Sequence, residues 1–159
     1  MLEVNLVQAG QAQEGERVLA LPICPGERFT IHYFHSVENA PIWEAHSMDR
    51  TGRIFIEEER YEKFGAGMGK MPGVGRMVTR GKYEAIVDMH MAVGSFILRV
   101  GSIGVDHTLI WRDKRFNLSK FYAHRALLFQ GKPQSLLDRV WYFLGFGPPP
   151  ILRQVAVEK

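Results

Sequence analysis

Arg28-Phe29-Thr30-Ile31-His32-Tyr33-Phe34-His35-Ser36-Val37-Glu38-Asn39-Ala40-Pro41-Ile42-Trp43-Glu44-Ala45-His46-Ser47-Met48 decides the fold. From Phe29 to Val37 the side chains alternate. Phe29, Ile31, Tyr33, His35 and Val37 share one face, and Thr30, His32, Phe34 and Ser36 share the other. Alternation at period two among aromatic and β-branched residues marks a half-buried strand, because successive Cβ atoms point to opposite sides of a pleated chain. Asn39-Ala40-Pro41 interrupts the run. Pro41 has no N–H to give to a ladder and biases Ala40 toward extended geometry. A second run, Ile42 to Met48, follows at once, so an antiparallel pair is predicted.

This hairpin concentrates polar chemistry. Glu44 and His46 are two apart and share a face of the second strand, while His35, Ser36 and Glu38 flank the corner. Side chains opposite one another on paired strands lie about 5 Å apart at Cβ, so His35, Glu38, Glu44 and His46 are expected to converge. Two readings stay open. Imidazole with carboxylate is a ligand set for zinc or a similar divalent ion, with His35, Glu44 and His46 as ligands. Alternatively, Glu44 and Ser36 satisfy the imidazole of His35 in a buried network that ties the corner down. No compact H-E-x-x-H signature is present.

Upstream, Leu2, Val4 and Leu6 alternate with polar residues as a first strand. Residues 17–21 form a second, closed by Pro22 and Pro25-Gly26. Downstream, Asp49-Arg50-Thr51-Gly52 is turn chemistry, and residues 53–61 resume as a strand. Its acidic run cannot all face one way, and Ile54, Ile56 and Glu58 are expected to face inward or sideways, with Glu57 and Glu59 solvated. Alternation predicts further strands over 83–91, 96–100 and 105–112, with a closing strand over 126–130. His107, like His35, falls on an apolar face.

The glycine-rich segment 64–75 is not a phosphate loop. Lys70 is followed by Met71 rather than Ser or Thr, and Pro72-Gly73 would stop the helix such a loop requires. It reads as a turn or lid, with Gly65 and Gly67 as candidate binding positions. Lys114, Arg115, Lys120, His124 and Arg125, interleaved with Phe116, Phe121 and Tyr122, read as a solvated hairpin in preference to a nucleic-acid surface. In the tail, Leu136, Leu137, Val140, Trp141, Phe143 and Leu144 recur at helical spacing, ended by Gly145, Gly147 and three prolines. That short helix either covers the β core or carries Trp141, Tyr142 and Phe143 into a membrane interface or a partner groove.

Composition sets wider bounds. A chain of 159 residues with 46% hydrophobic content is one ordinary globular unit. Its net charge of +3 is too small to imply nucleic acid. The single cysteine excludes an internal disulfide. Residues 1–5 show neither a basic n-region nor an apolar h-region, so no signal peptide is visible.

Several segments resemble a known family: Phe29-Thr30-Ile31-His32-Tyr33-Phe34-His35-Ser36-Val37-Glu38, Pro41-Ile42-Trp43-Glu44, Glu59-Arg60-Tyr61 and Phe64-Gly65-Ala66-Gly67-Met68. Leu98-Arg99-Val100-Gly101, with His107 and Leu109, fits more weakly. The chain resembles, over roughly residues 2–130, a bacterial and archaeal domain of unknown function often encoded beside the fused membrane subunit of TAXI-type TRAP transporters. The family usually continues Gly-Ala-Gly-Leu-Pro, where this chain has Met68-Gly69. The resemblance implies an association with solute uptake and no activity. It also suggests an extracytoplasmic position, through relatives that carry a hydrophobic leader.

The expected architecture is all-β: an antiparallel β-sandwich or partly open barrel of about eight to ten strands over residues 1–133, followed by a short C-terminal amphipathic helix and tail over 134–159. The expected function is a non-catalytic accessory or binding protein of a TRAP-type solute transport system, contacting the permease or membrane surface through Trp141, Tyr142 and Phe143. The alternative is a metal-binding protein or metal-dependent enzyme built on residues 35–46.

Overall fold

The alternating residues 29–34 and 41–48 do form adjacent antiparallel strands, and the rest of the molecule is laid out from them. The structure, a computed structural model, describes residues 1–7, 14–62, 74–133, 140 and 144. In chain order the elements are β1 (Leu2–Val7), β2 (Glu14–Leu21), β3 (Phe29–Phe34), β4 (Pro41–Met48), β5 (Ile54–Tyr61), β6 (Arg76–Arg80), β7 (Tyr83–Val87), β8 (Met91–Ala92), β9 (Phe96–Arg99), β10 (Thr108–Trp111), β11 (Lys114–Asn117), α1 (Leu118–Tyr122) and β12 (Ala126–Gly131).

The strands make two antiparallel sheets. The smaller runs β2-β1-β12-β9, and the larger runs β11-β10-β3-β4-β5-β7-β6 with β8 also on β5. Neither sheet closes on itself, and the all-β expectation is met as two sheets in a sandwich. The described residues hold twelve strands, more than expected, partly because positive φ at Asp88 and His90 breaks the segment 83–91 into β7 and β8. The helix α1 was not predicted. Its N-cap Asn117 accepts a hydrogen bond from the Lys120 amide at 2.8 Å, and it buries Leu118, Ser119 and Tyr122.

The main core lies between the sheets. Leu2, Val4, Leu19, Leu21, Leu127 and Phe129 meet Phe29, Ile31, Ile54, Leu109 and Trp111, all of them buried. Each such aliphatic or aromatic side chain contributes about 1.5–3 kcal/mol by leaving water. Four rings cross the layer in a stack: Phe129 on Phe96 at 5.0 Å, Phe96 on His46 at 5.3 Å, and His46 on Phe29 at 5.1 Å. Behind them the turn before β5 presses on the end of β12. A Cβ on Gly131 would stand 2.0 Å from the Gly52 carbonyl oxygen, and Gly52 itself has φ +88°, so neither position has room for a side chain.

A second cluster of Ile42, Tyr61, Ile86 and Met89, with Tyr33, Ile56, Val74, Met77 and Met91 around it, takes no residue from the smaller sheet. It covers the remaining inner face of the larger sheet.

The predicted tail helix falls almost wholly outside the described residues. Leu144 donates its amide to the Val140 carbonyl at 3.0 Å, the i to i−4 spacing of an α-helix, and both side chains are exposed. Among the described residues no helix is long and apolar enough to cross a membrane.

Candidate functional site

The inner face of the larger sheet carries an acidic pair flanked by phenols. On β4, Glu44 stands opposite Ile31 of β3 and opposite Glu59 of β5. Tyr33 donates its hydroxyl to Glu44 Oε1 at 2.8 Å, and Tyr61 donates to Glu59 Oε2 in a short contact. Two carboxylates thus face each other across neighbouring strands, each with its own tyrosine. Burial, reinforced by the Glu59 charge, pushes the Glu44 carboxyl up despite the opposing Tyr33 hydrogen bond. Burial and the adjacent carboxylates push both phenols well above the usual tyrosine range, so both stay protonated donors. A raised carboxyl beside a second carboxylate can retain one proton between them.

Glu59 occupies this position because of a β-bulge. Ala45 pairs with Glu58 but His46 pairs with Ile56, which leaves Glu57 as an extra residue on β5. The insertion reverses the alternation. Ile54 and Ile56 face inward before it, and Glu59 and Tyr61 face inward after it. Glu58 turns outward, where Arg28 at 3.8 Å and Arg80 at 3.7 Å approach its carboxylate. The expectation of a Glu58 facing inward or sideways and a solvated Glu59 is therefore corrected. Uninterrupted period two was assumed, and the chain contains one residue too many for it.

The sheet does not gather His35, Glu38, Glu44 and His46. The β3 ladder ends at Phe34, and His35 starts a tight corner in which its Nδ1 accepts the Glu38 amide at 3.3 Å. Its backbone closes the same corner, with Asn39 N–H donating to its carbonyl at 2.8 Å and its own N–H donating to the Ala40 carbonyl at 2.9 Å. Ser36 is exposed there and Glu38 half-buried. His46 lies six residues beyond Ala40; at about 3.3 Å per residue that is roughly 20 Å from the corner. His46 is buried between Phe29 and Phe96, with Nδ1 at 3.0 Å from the Glu44 carbonyl. A carbonyl can only accept, so Nδ1 carries the proton. Burial brings this imidazole down to about 4, and it is neutral.

His107 is held separately. Its Nδ1 accepts the Gly101 amide at 3.0 Å and its ring stacks on Tyr33 at 5.0 Å. Among the described residues no group of three or more His, Cys, Asp or Glu is placed to hold a metal ion. Gly65, Gly67, Trp141, Tyr142 and Phe143 lie outside the described residues.

Two arrangements went unnoticed in the sequence. Buried Ser47 donates its hydroxyl to Glu57 Oε1 at 2.6 Å, and His90 Nδ1 lies 2.9 Å from the same oxygen. The serine bonds the carboxylate and not the imidazole, and the contacts to Ser47 and His90 outweigh burial to hold Glu57 below its ordinary value. A carboxylate so stabilised is a poor base for activating a hydroxyl. The second arrangement is on the outer face, where His32, Trp43 and Arg60 pair in one row across β3, β4 and β5. The Arg60 guanidinium lies 4.6 Å from the Trp43 ring centre and 5.5 Å from that of Tyr83.

The segments 29–38, 41–44 and 59–61 thus pair with one another at the middle of the larger sheet. A family model described as a domain of unknown function, DUF1850, matches residues 29–118, more than half of the chain. The chain belongs to the DUF1850 family. The DUF1850 match runs from the first residue of β3 to the first residue of α1, and so spans every strand of the larger sheet together with β9. No curated protein and no solved structure matches the chain.

Proposed function

We propose that this DUF1850 protein is a non-catalytic accessory or binding protein associated with a TRAP-type solute transport system. The observation that carries the binding half of this reading is the inner-face arrangement. Tyr33, Glu44, Glu59 and Tyr61 are bonded in pairs, and the buried Ser47 hydroxyl donates to the Glu57 carboxylate, with the His90 imidazole on that same carboxylate oxygen and not on the serine. The transport half rests on the family resemblance and its genomic neighbourhood. Adjacent loops also offer a docking edge. Val37 and Ile103 are both largely exposed, and the Phe34 amide donates to the Val105 carbonyl at 2.7 Å, which ties the two loops together.

Co-expression with a TRAP-type membrane subunit, followed by detergent extraction and pull-down, tests the association. The chain is expected to co-purify with the permease, and Trp141→Ala is expected to reduce recovery. A chain that binds neither the permease nor anionic-lipid vesicles would overturn the proposal. The metal-dependent alternative needs His35, Glu44 and His46 together, and His35 lies in the corner before β4 while His46 lies near its other end. Elemental analysis after loading with zinc is its direct check.

A further inference from the structure

Arg60 is the one half-buried arginine among the described residues; the others are exposed. Among the described residues no carboxylate lies within 4 Å of Arg60, and Glu58, two residues earlier on the same face, is approached by Arg28 and Arg80 instead. Arg17, Arg28, Arg76, Arg80 and Arg112 each have a carboxylate within 4 Å, and the remaining unpaired arginines are exposed to water. Arg60 makes no hydrogen bond to the described residues, and of its nitrogens only Nε is closed off from solvent without a partner. A guanidinium partly removed from water and left without an acceptor is costly unless something else occupies its fork.

The surroundings fix the orientation of that fork. Trp43 and Tyr83 meet edge to face at 5.3 Å and 89°, and the guanidinium sits in the angle between them. Stacking against the two rings leaves the Nη edge as the available donor pair. On the far side of Trp43, His32 is 93% buried (relative exposure 7%), packs on the indole at 5.2 Å, and has an Nδ1 without a partner. The row His32–Trp43–Arg60 therefore holds two unsatisfied buried nitrogens around one indole.

We propose that Arg60, wedged between Trp43 and Tyr83, is a binding site for the carboxylate of a small organic monoacid. The charge available is that of one guanidinium. The other cations near the row are already paired: Lys82, 5.2 Å from the Tyr83 ring, with Glu62 at 2.8 Å, and Arg28 and Arg80 with Glu58 at 3.8 and 3.7 Å. A planar fork with a single charge matches a planar carboxylate in bidentate fashion, whereas a phosphate dianion calls for more donors. The ring faces of Trp43 and Tyr83 supply an apolar wall for the body of the acid. This site is on the opposite face from the Glu44–Glu59 pair and does not depend on the transport association.

The test uses the whole chain, sodium benzoate as probe and chloride-balanced ionic strength, with the Arg60 Nε–H and Trp43 Nε1–H signals followed by NMR. Saturable shifts at both signals are expected, with benzamide, the neutral isostere, giving none. Arg60→Lys keeps the charge but loses the fork, and is expected to weaken benzoate by about tenfold or more. Arg60→Met is expected to abolish it. If Arg60→Met fails to fold, the benzoate–benzamide comparison and Arg60→Lys still decide. The proposal is overturned by any of three results: no shift up to about 50 mM benzoate, well past the millimolar range; equal shifts with inorganic phosphate; or unchanged affinity in Arg60→Lys.

Discussion

Replacing His46 by phenylalanine should remove most of an acid sensitivity that the fold carries in its core. The imidazole is 1% exposed, stacked between Phe29 and Phe96, and among the described residues bonded only to the Glu44 carbonyl. Burial brings its pKa down from the ordinary 6.5 to about 4. Between those values the unfolded chain binds a proton that the folded chain refuses, so stability falls as the pH falls. The cost is about 1.4 kcal/mol at pH 5.5, about 2.6 kcal/mol at pH 4.5, and tends to a limit of about 3.4 kcal/mol well below pH 4. Phenylalanine keeps the ring stack and removes the titrating nitrogen. It also loses the bond to the Glu44 carbonyl, a pH-independent offset of about 0.5–1.5 kcal/mol. Urea denaturation of both proteins from pH 7.5 to 4.5 measures the difference directly. Buried His32 and His107, held down by burial, and Glu44, held up, titrate in both proteins and cancel. The stability of the wild-type chain relative to His46→Phe should fall by about 2.5 kcal/mol across that range. A difference that stays flat would mean that the imidazole is hydrated or protonated within the folded core.

Glu44→Gln should gain on the wild-type chain as the pH rises. The Glu44 carboxyl is held above its ordinary 4.5, by burial first and by Glu59 next, so its favourable contribution exists below 4.5 and is lost as pH climbs through the folded value. Thermal melts at pH 4.5 and pH 8 should show the variant improving relative to wild type, with about 0.2–1 kcal/mol from relief of two like charges directly opposed; an unchanged gap would contradict a proton-holding pair. Glu27→Ala should destabilise the chain by about 1–3 kcal/mol. Glu27 accepts the Trp111 indole N–H at 3.0 Å and Arg112 Nε at 2.7 Å, and Trp111 is buried, so its N–H would lose its acceptor. Glu27→Gln retains an acceptor and should cost less than half as much by urea denaturation, whereas equal losses would assign the effect to the exposed Arg112 pair.

The larger sheet was legible where alternation is uninterrupted. Phe29, Ile31 and Tyr33 face one way, and so do Glu44 and His46, as their period predicts. The corner was legible from Pro41, which opens β4 where its missing N–H is tolerated. His35 was misplaced because alternation was carried past Phe34 into residues whose backbone turns; Asn39 there takes φ 45°. The helix α1 is only five residues long, too short for apolar periodicity to register. The candidate site was half visible. Glu44 was picked out, but Tyr33 and Glu59 become its neighbours only through strand pairing, and strand pairing is information that a linear pattern does not contain.

The extra residue at Glu57 has an electrostatic consequence for both faces. Glu59 and Arg60 are consecutive, as are Trp43 and Glu44. Without the bulge, alternation would place Arg60 on the inner face within reach of Glu44, where the two charges would neutralise each other. With it, the inner face holds Glu44 and Glu59 with no cation in ion-pair contact among the described residues, and the outer face holds Arg60 beside a Glu58 whose carboxylate is approached by Arg28 and Arg80 instead. Stability alone gives no reason to forgo that pairing, since partly buried charges without partners are unfavourable on either face. The bulge thus keeps a guanidinium clamped between two rings and a pair of opposed carboxyls on opposite sides of one sheet.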